Sequence, residues 1–296
     1  MNWVELILPA GNLADEVAAL LASSDDVAAA GVQVREDEII IWAPASEAEA
    51  AAIALRAAAT RLREAGFSVD PEQVRVAPAP PEDEWTDAWK RYFRVARVTK
   101  RLVIVPSWET YMPATGDVVL DLDPGRAFGT GAHASTRLCL ALLERLCEED
   151  ELMVRRFIDV GTGSGILSVA AAKLWPRASG VAIDIDPQAA SVAMENFEKN
   201  GVAPRIHVGD EPVATVPGTF DAVMANIQAD VLEALLPELV SRVAAGGALV
   251  LSGLLAEQAS TVAQLYLEAG LTLSQVLTLP SDPEWSAVLF RRPGPM

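Results

Sequence analysis

Cysteine is nearly absent from the 296-residue chain: Cys139 and Cys147 are the only two, eight residues apart in one helical pattern. That spacing matches no paired metal-ligand motif, and so few thiols exclude a disulfide-stapled secreted fold. Both read as reduced packing residues, and no metal is expected. Long apolar runs are missing too, and none approaches the about 18 to 20 residues that a membrane helix needs. The opening MNWVELILPAGN has no basic segment and carries Glu5 inside its apolar stretch, which is wrong for a signal peptide. The expectation is a soluble, cytoplasmic chain with no membrane contact. Positive charge is the third scarcity, with 23 Lys and Arg against 41 Asp and Glu and a net charge of −18. Such a surface repels phosphate backbones, so direct sequence-specific nucleic-acid binding is not expected, and a basic protein is the better partner.

What the chain does have is apolar content, 51% of its residues. At about 150 residues per domain, that length suggests roughly two domains. Residues 1–78 alternate element types. A strand pattern runs from Trp3 to Leu8, and Gly11-Asn12 opens a helix with apolar Leu13, Val17, Leu20 and Leu21. Strands Gly31 to Val34 and Glu38 to Ala43 flank a short charged turn, an Ala-rich helix runs from Ser46 to Ala65, and Gln73 to Ala77 supplies a last strand. The order β-α-β-β-α-β is ferredoxin-like, and a sheet with both helices on one face is expected to leave its other face free for binding. Residues 79–96 read as a helical linker whose face carries Trp85, Trp89, Tyr92 and Phe93, a staple onto a domain or a substrate wall.

Residues 97–296 read as an α/β domain. Strand patterns at Leu102 to Val105 and Val118 to Leu122 precede a loop and a helix. Strands are then expected at Arg156 to Val160, Gly180 to Ile185, Arg205 to Val208, Phe220 to Ala225 and Ala248 to Ser252, with helices beginning near Gly165, Pro187, Ala229 and Ala256. Such alternation, with nearly continuous apolar strands, predicts a doubly wound parallel sheet. The final strands, Leu271 to Leu279 and Trp285 to Arg291, are joined by Pro280-Ser281-Asp282-Pro283 with no helix between, which predicts an antiparallel pair.

The most informative segment is RFIDVGTGSGILSVAAAKLW, an apolar strand that ends in Gly161, Gly163 and Gly165 before a helix. Glycines there allow tight turning and close backbone approach of a ligand. The G-x-G-x-G spacing, with Ile166 where a dinucleotide fingerprint would have glycine, disfavours NAD, and no G-K-[ST] follows to cradle a triphosphate. Asp184 lies 19 residues beyond Gly165, at the end of the next strand, where a carboxylate accepts ribose hydroxyls. Asp186, followed by Pro187, reads as a helix N-cap.

Together these residues resemble the class I S-adenosylmethionine-dependent methyltransferases, with a Rossmann-like seven-stranded, mostly parallel sheet. LDLDPGRAFGTGAHASTRLCLALLERL and FDAVMANIQADVLEALLPELV narrow the resemblance to the PrmA-type family, methyltransferases of a large-subunit ribosomal protein. The small N-terminal domain, the aromatic linker and VPSWET also fit that family. The resemblance implies S-adenosylmethionine as cofactor and cofactor contacts at Thr136, Gly161, Asp184 and Asn226. The wider methyltransferase pattern adds Asp159 and Gly163 near the methionine end and brings Asp210 towards adenine. HASTR stands where the family commonly has H-P-T-T, and NIQA where it has N-I-L-A.

Methyl transfer to an amine needs a free lone pair, yet a lysine with pKa near 10.4 is protonated in the cytoplasm. Freeing it across about three units costs roughly 4 kcal/mol. Asn226 is the candidate catalytic residue, its amide oxygen suited to accepting an amine N–H. His133 is a candidate base or a structural loop residue, His207 reads as structural, and Phe128 is a candidate pocket wall. The implied activity is N-methylation of lysine and N-terminal amines on a large-subunit ribosomal protein, free or on the ribosome. Residues 1–78 would select the protein, and the enzyme is expected to act as a monomer. The alternatives are a methyltransferase for another protein or a small molecule, or an inactive cofactor-binding interaction factor.

Overall fold

The apolar alternation at the start of the chain becomes a four-stranded sheet. The computed structural model describes residues 3–14, 17–18, 21, 32–35, 37–45, 48–79, 94–123, 133–148 and 153–294, and the chain divides into units Met1–Tyr92 and Phe93–Met296. In the first unit β1 (Trp3–Pro9), β2 (Val32–Arg35), β3 (Glu38–Pro44) and β4 (Arg75–Pro78) pair in the order β2-β3-β1-β4. All three pairings are antiparallel. Register sets Leu6 opposite Ile41 and Leu8 opposite Ile39, and these four residues share a core with Ala52, Leu55, Ala58 and Ala59 of the helix Ala48–Glu64. Alanine suits that face twice over, as the best helix former and as a side chain small enough for close packing on the sheet.

The second face of this sheet is not the open surface expected of it. Ile7 and Ile40, paired across β1 and β3, are both buried, and so is Glu5, whose carboxylate holds the Arg35 guanidinium at 2.7 Å. Two registered isoleucines gain from leaving water, and a buried carboxylate is retained only because it has an ionic partner. The expected linker helix with its aromatic face lies outside the described residues, as does most of the first helix beyond the short 3₁₀ turn Gly11–Leu13.

The second unit opens with a small sheet of β5 (Ala96–Arg97), β6 (Leu102–Val105) and β7 (Val118–Asp121). Glu144 is buried in the helix Ala134–Glu148 and accepts bonds from the Thr99 hydroxyl and the backbone N–H groups of Lys100 and Arg101. It ties that helix to the hairpin beside it.

The main sheet contains β8 (Arg156–Val160), β9 (Ser179–Ile183), β10 (Ile206–Gly209), β11 (Phe220–Asn226), β12 (Val243–Leu255), β13 (Thr272–Leu279) and β14 (Asp282–Arg291). Their order is β10-β9-β8-β11-β12-β14-β13, with five parallel strands and β14 antiparallel to both its neighbours. This is the mostly parallel seven-stranded sheet of class I methyltransferases. Side chains alternate between two cores. Phe157, Met224 and Val250 meet Leu138, Leu142, Val169 and Phe197 on one side, while Ile158, Val223 and Leu249 meet Leu239, Val262 and Tyr266 on the other. Burial on both faces explains why these strands read as continuous apolar runs.

Most strands differ from the sequence reading by one or two residues at an end, β9 for instance running Ser179–Ile183 rather than Gly180 to Ile185, and three differences go further. β12 begins at Val243 rather than Ala248, because its register with β11 jumps from Phe220↔Val243 to Ala222↔Ala248 and absorbs the glycine-bearing bulge that looked like a break. β14 takes in Asp282 and Pro283, leaving a tighter hairpin turn than the four residues expected. β5 was not anticipated, since two residues carry no alternation to read. Chain order reverses between β8 and β11, and ligands of open α/β sheets bind outside the strand C-termini at such a point.

Candidate active site

β8 ends at this reversal and turns sharply through Gly161, Gly163 and Gly165, all with positive φ. The Gly161 and Thr162 N–H groups donate to the Ile183 carbonyl at 2.9 and 3.0 Å, and Gly165 N–H closes the turn onto the Thr162 carbonyl at 2.8 Å. A side chain at Gly161 would be doubly excluded: φ is +73°, and an added Cβ would lie 2.4 Å from Ile227 Cγ2. The turn is therefore wedged against the residue that follows Asn226.

Two carboxylates hold the turn from different sides. Asp184 Oδ2 accepts the Gly163 N–H at 2.8 Å, and its Oδ1 accepts the Asp186 N–H at 3.0 Å. Asp184 remains partly exposed, with lone pairs for a ligand, and the adjoining Ile185 is 94% exposed. Asp186 caps the helix Pro187–Lys199 by accepting the Gln188 N–H at 2.8 Å, as the Asp-Pro pair predicts. Asp159 lies beneath the turn and is fully buried, so it does not line the open side. Its Oδ2 takes the Thr162 hydroxyl at 2.7 Å and the Ser168 hydroxyl at 2.9 Å, while Oδ1 is buried with no hydrogen-bond partner among the described residues. Burial, only partly offset by the two hydroxyls and the Ser168 backbone N–H, pushes its carboxyl up to about 6, with the Asp184 carboxylate adding to the rise. Asp210 is exposed just beyond β10, next to the Gly209 carbonyl that accepts the Asp184 N–H.

On the other side of β8, Asn226 ends β11. Its Nδ2 donates to Thr136 Oγ1 at 3.2 Å, and Thr136 is fully buried in the helix Ala134–Glu148. Thr136, anticipated at the cofactor, thus meets the asparagine. With its nitrogen engaged, the amide presents Oδ1, which is buried and has no partner among the described residues. An orphaned acceptor of this kind marks a place for an incoming donor, since buried polar groups are otherwise satisfied. Gly253 of β12 completes the corner: an added Cβ would stand 2.4 Å from the Ile227 carbonyl oxygen. Nothing in the local sequence separated this glycine from the others.

His133 Nδ1 receives the Ser135 N–H at 3.3 Å and lies 2.8 Å from Ser135 Oγ. An Nδ1 that accepts a backbone N–H puts the proton of a neutral imidazole on Nε2, which disfavours His133 as the base. Its ring meets Trp285 edge-on, centroids 4.5 Å apart. Trp285 was missed as a site residue, and a separation of 152 positions hides the contact from any local pattern. His207 pairs with Glu211 on the surface at 3.0 Å, a structural role. Phe128 lies outside the described residues. Cys139 and Cys147 form no disulfide, and among the described residues no group of acids, histidines and cysteines could hold a metal ion.

Asp159, Gly161, Gly163 and Asp184 thus surround one turn, and Asn226 and Thr136 form a corner joined to it through Ile227. The set fits S-adenosylmethionine: a turn whose accessible positions, Gly161 and Gly163, carry no side chain, a partly exposed carboxylate for ribose, and an orphaned amide oxygen beside them.

Comparison with known proteins agrees. The profile of the ribosomal protein L11 methyltransferase (PrmA) family matches residues 14–293. The ribosomal protein L11 methyltransferase of Citrifermentans bemidjiense is 44% identical over 213 residues, 71% of this chain and 68% of that protein. Its counterpart in Geobacter metallireducens is 43% identical over 221 residues, 73% of this chain and 70% of the relative. A crystal structure of the ribosomal protein L11 methylase of Lactobacillus delbrueckii subsp. bulgaricus superposes with a TM-score of 0.60 at 33% identity, covering 68% of this chain and all of that one. With residues 14–293 matched by the family profile and curated relatives at 43–44% identity, the chain belongs to the ribosomal protein L11 methyltransferase (PrmA) family.

Proposed function

We propose that the chain N-methylates ribosomal protein L11 with S-adenosylmethionine as donor, and that Asn226 holds the attacking amine. The observation that carries this reading is the orphaned Asn226 Oδ1, fixed by Thr136 and set beside the glycine turn. When bound, the cofactor supplies an electrophilic methyl group on a sulfonium. The chain's part is positioning. Asp184 is the ribose ligand, Gly161 and Gly163 let the backbone approach the nucleoside, and Thr136 and Asp159 act through Asn226 and Thr162 rather than by direct contact.

An amine entering the corner must be uncharged, a demand of about 4 kcal/mol for lysine at neutral pH. A buried site away from water lowers an amine's pKa and sheds the proton to solvent as the side chain enters. Asn226 Oδ1 then accepts one remaining N–H and turns the lone pair towards the methyl carbon, converting part of the barrier into preorganised geometry. No covalent enzyme intermediate and no metal are required. Lysine side chains and an N-terminal amine are the targets this reading favours, with residues 1–78 selecting the ribosomal protein and the cytoplasm as the site of a monomeric enzyme. Among the described residues no helix is long and apolar enough to cross a membrane.

The test is incubation with labelled S-adenosylmethionine and total ribosomal proteins. Label is expected in L11 alone, and on amines. Label in another ribosomal protein, or only in a small molecule, would overturn the substrate assignment.

A further inference from the structure

We propose that Trp285 and His133 are positioning residues for the amine-binding corner: their edge-on contact closes a circuit of links that fixes which end of the Asn226 amide faces the incoming nitrogen. This deepens the reading that Asn226 holds the amine, and rests on it. The orphaned Oδ1 is presented because Nδ2 is spent on Thr136 Oγ1, and that one 3.2 Å bond decides the orientation of the amide. Turned end for end, the amide would offer a donor where the amine needs an acceptor. Whatever places the Thr136 hydroxyl therefore places the acceptor.

Thr136 lies in the first turn of the helix Ala134–Glu148, where backbone N–H groups have no partner within the helix. His133 stands just before that turn, and its imidazole supplies one: Nδ1 accepts the Ser135 N–H at 3.3 Å and lies 2.8 Å from the Ser135 hydroxyl. Ser135 is 1% exposed, so without His133 both its donors would be stranded among the described residues. The imidazole is held in turn by Trp285, with centroids 4.5 Å apart and planes at 75°, the edge-to-face arrangement that aromatic quadrupoles favour. Trp285 is anchored through β14 to the strand beside Asn226. Ser252 of β12 is in register with Asn226, and its hydroxyl donates to the Ser286 carbonyl at 3.0 Å. The pairing of β12 with β14 slips between Leu251 and Leu254, and beyond the slip Leu255 is opposite Trp285. Irregularities of this kind re-aim side chains beside active sites. The links thus run from Asn226 through Ser252 and Ser286 to Trp285, on through His133 and Ser135 to Thr136, and back to Asn226. Strand pairing secures one arc of the circuit, and the other passes through the two aromatic side chains and the first helical turn.

The experiment is a pair of double-mutant cycles on the full chain, reading turnover with L11 and the Kd for S-adenosylmethionine by equilibrium binding. The Kd also reports that each variant is folded. Trp285→Ala and His133→Ala are each expected to lower kcat about tenfold, one conventional hydrogen bond's worth, and to leave the Kd within about threefold. Either change opens the same circuit, so the double variant is expected to lose at most about twofold beyond the worse single one. Thr136→Val opens the circuit at its last link, and His133→Ala is expected to add less than about twofold in that background. Independent packing contacts would instead multiply to about a hundredfold in the first cycle, and losses that multiply in either cycle overturn the proposal. Unchanged turnover in both single variants overturns it too, as does a loss of cofactor binding as large as the loss of turnover. Should Trp285→Ala not fold, Trp285→Leu keeps the apolar packing and takes its place; should that fail as well, the cycle of His133 with Thr136 decides alone. A wild type that transfers no methyl group to L11 would overturn the functional reading itself, a different result from losses that multiply.

Discussion

The glycine turn at 161–165 and the corner at Asn226-Ile227 sit side by side, but their polar groups are satisfied differently. In the turn, most donors and acceptors come from nearby sequence: Asp159 takes Thr162 and Ser168, and Gly165 closes on Thr162. Ile183 and Asp184 reach in from the end of the next strand, and Asn196 donates to the Ser164 carbonyl from the helix after it. The corner is assembled from distant segments, with Thr136 ninety positions before Asn226, Gly253 on the neighbouring strand, and an amide oxygen left over. A turn that must accept the same nucleoside every cycle can be built as a closed local unit. A corner that must take an amine from another protein has to keep an acceptor in reserve, at a cost of about 1–3 kcal/mol for the unsatisfied group.

If that division is real, mutations on the two sides should change different kinetic quantities. The largest effect is expected from Asn226→Ala, which deletes the reserved acceptor. The turnover number should fall about 10²- to 10³-fold, the size of effect seen when one preorganised polar group is removed from an active site. The dissociation constant for S-adenosylmethionine, measured by equilibrium binding, should move by less than about tenfold, one conventional hydrogen bond's worth. An equal collapse of cofactor binding would show that the asparagine belongs to the turn's half of the site.

A pair of glycine substitutions sharpens the same contrast. Gly161 and Gly253 flank Ile227, one meeting its side chain and the other its backbone, each with positive φ and with an added Cβ at 2.4 Å. Backbone strain of this kind costs about 1–3 kcal/mol, so effects of about tenfold to a hundredfold are expected. Gly161→Ala should weaken cofactor binding first. Gly253→Ala should push the Ile227 carbonyl and with it Asn226, lowering turnover while leaving the cofactor constant within about threefold. Identical signatures from the two variants would mean that Ile227 transmits everything and that the halves are one unit.

The same contrast explains what could be read from the sequence. G-T-G-S-G after an apolar strand, and Asp-Pro before a helix, are local signals with local causes, and both elements stand where the sequence puts them. The sheet order follows from strand-helix alternation and a helix-free final connection. Asn226 and Thr136 were reached through resemblance to a family, because nothing in either segment announces the other. Gly253 and the Trp285 ring against His133 were missed for the same reason, being contacts made only when β12 and β14 align. Asp159 was located correctly at the strand end, yet strand position does not tell whether its carboxylate lies above the turn or beneath it. The second face of the small sheet was misjudged because counting helices says nothing about Ile7 and Ile40, whose own chemistry favours burial.

The smallest effect concerns stability, and it separates the cost of the turn from its use. Folding lifts the Asp159 carboxyl from its ordinary 3.8 to about 6, chiefly by burial. Between those values the folded protein holds a proton that the unfolded chain has released. The stability linked to this group is therefore fully present below pH about 4 and lost as pH rises through about 6, a swing on the order of 3 kcal/mol. Asp159→Asn keeps the two hydroxyls bonded and abolishes the swing. At pH 7.5 the variant should melt about 2–4 °C above the wild type if even one kcal/mol of that cost is relieved, and the gap should close towards pH 4.5. A variant that melts higher yet binds cofactor less well would show the turn storing an electrostatic cost that the bound sulfonium relieves. If it melts lower at every pH, the carboxylate is only a brace, and the turn is held no differently from any other loop in the chain.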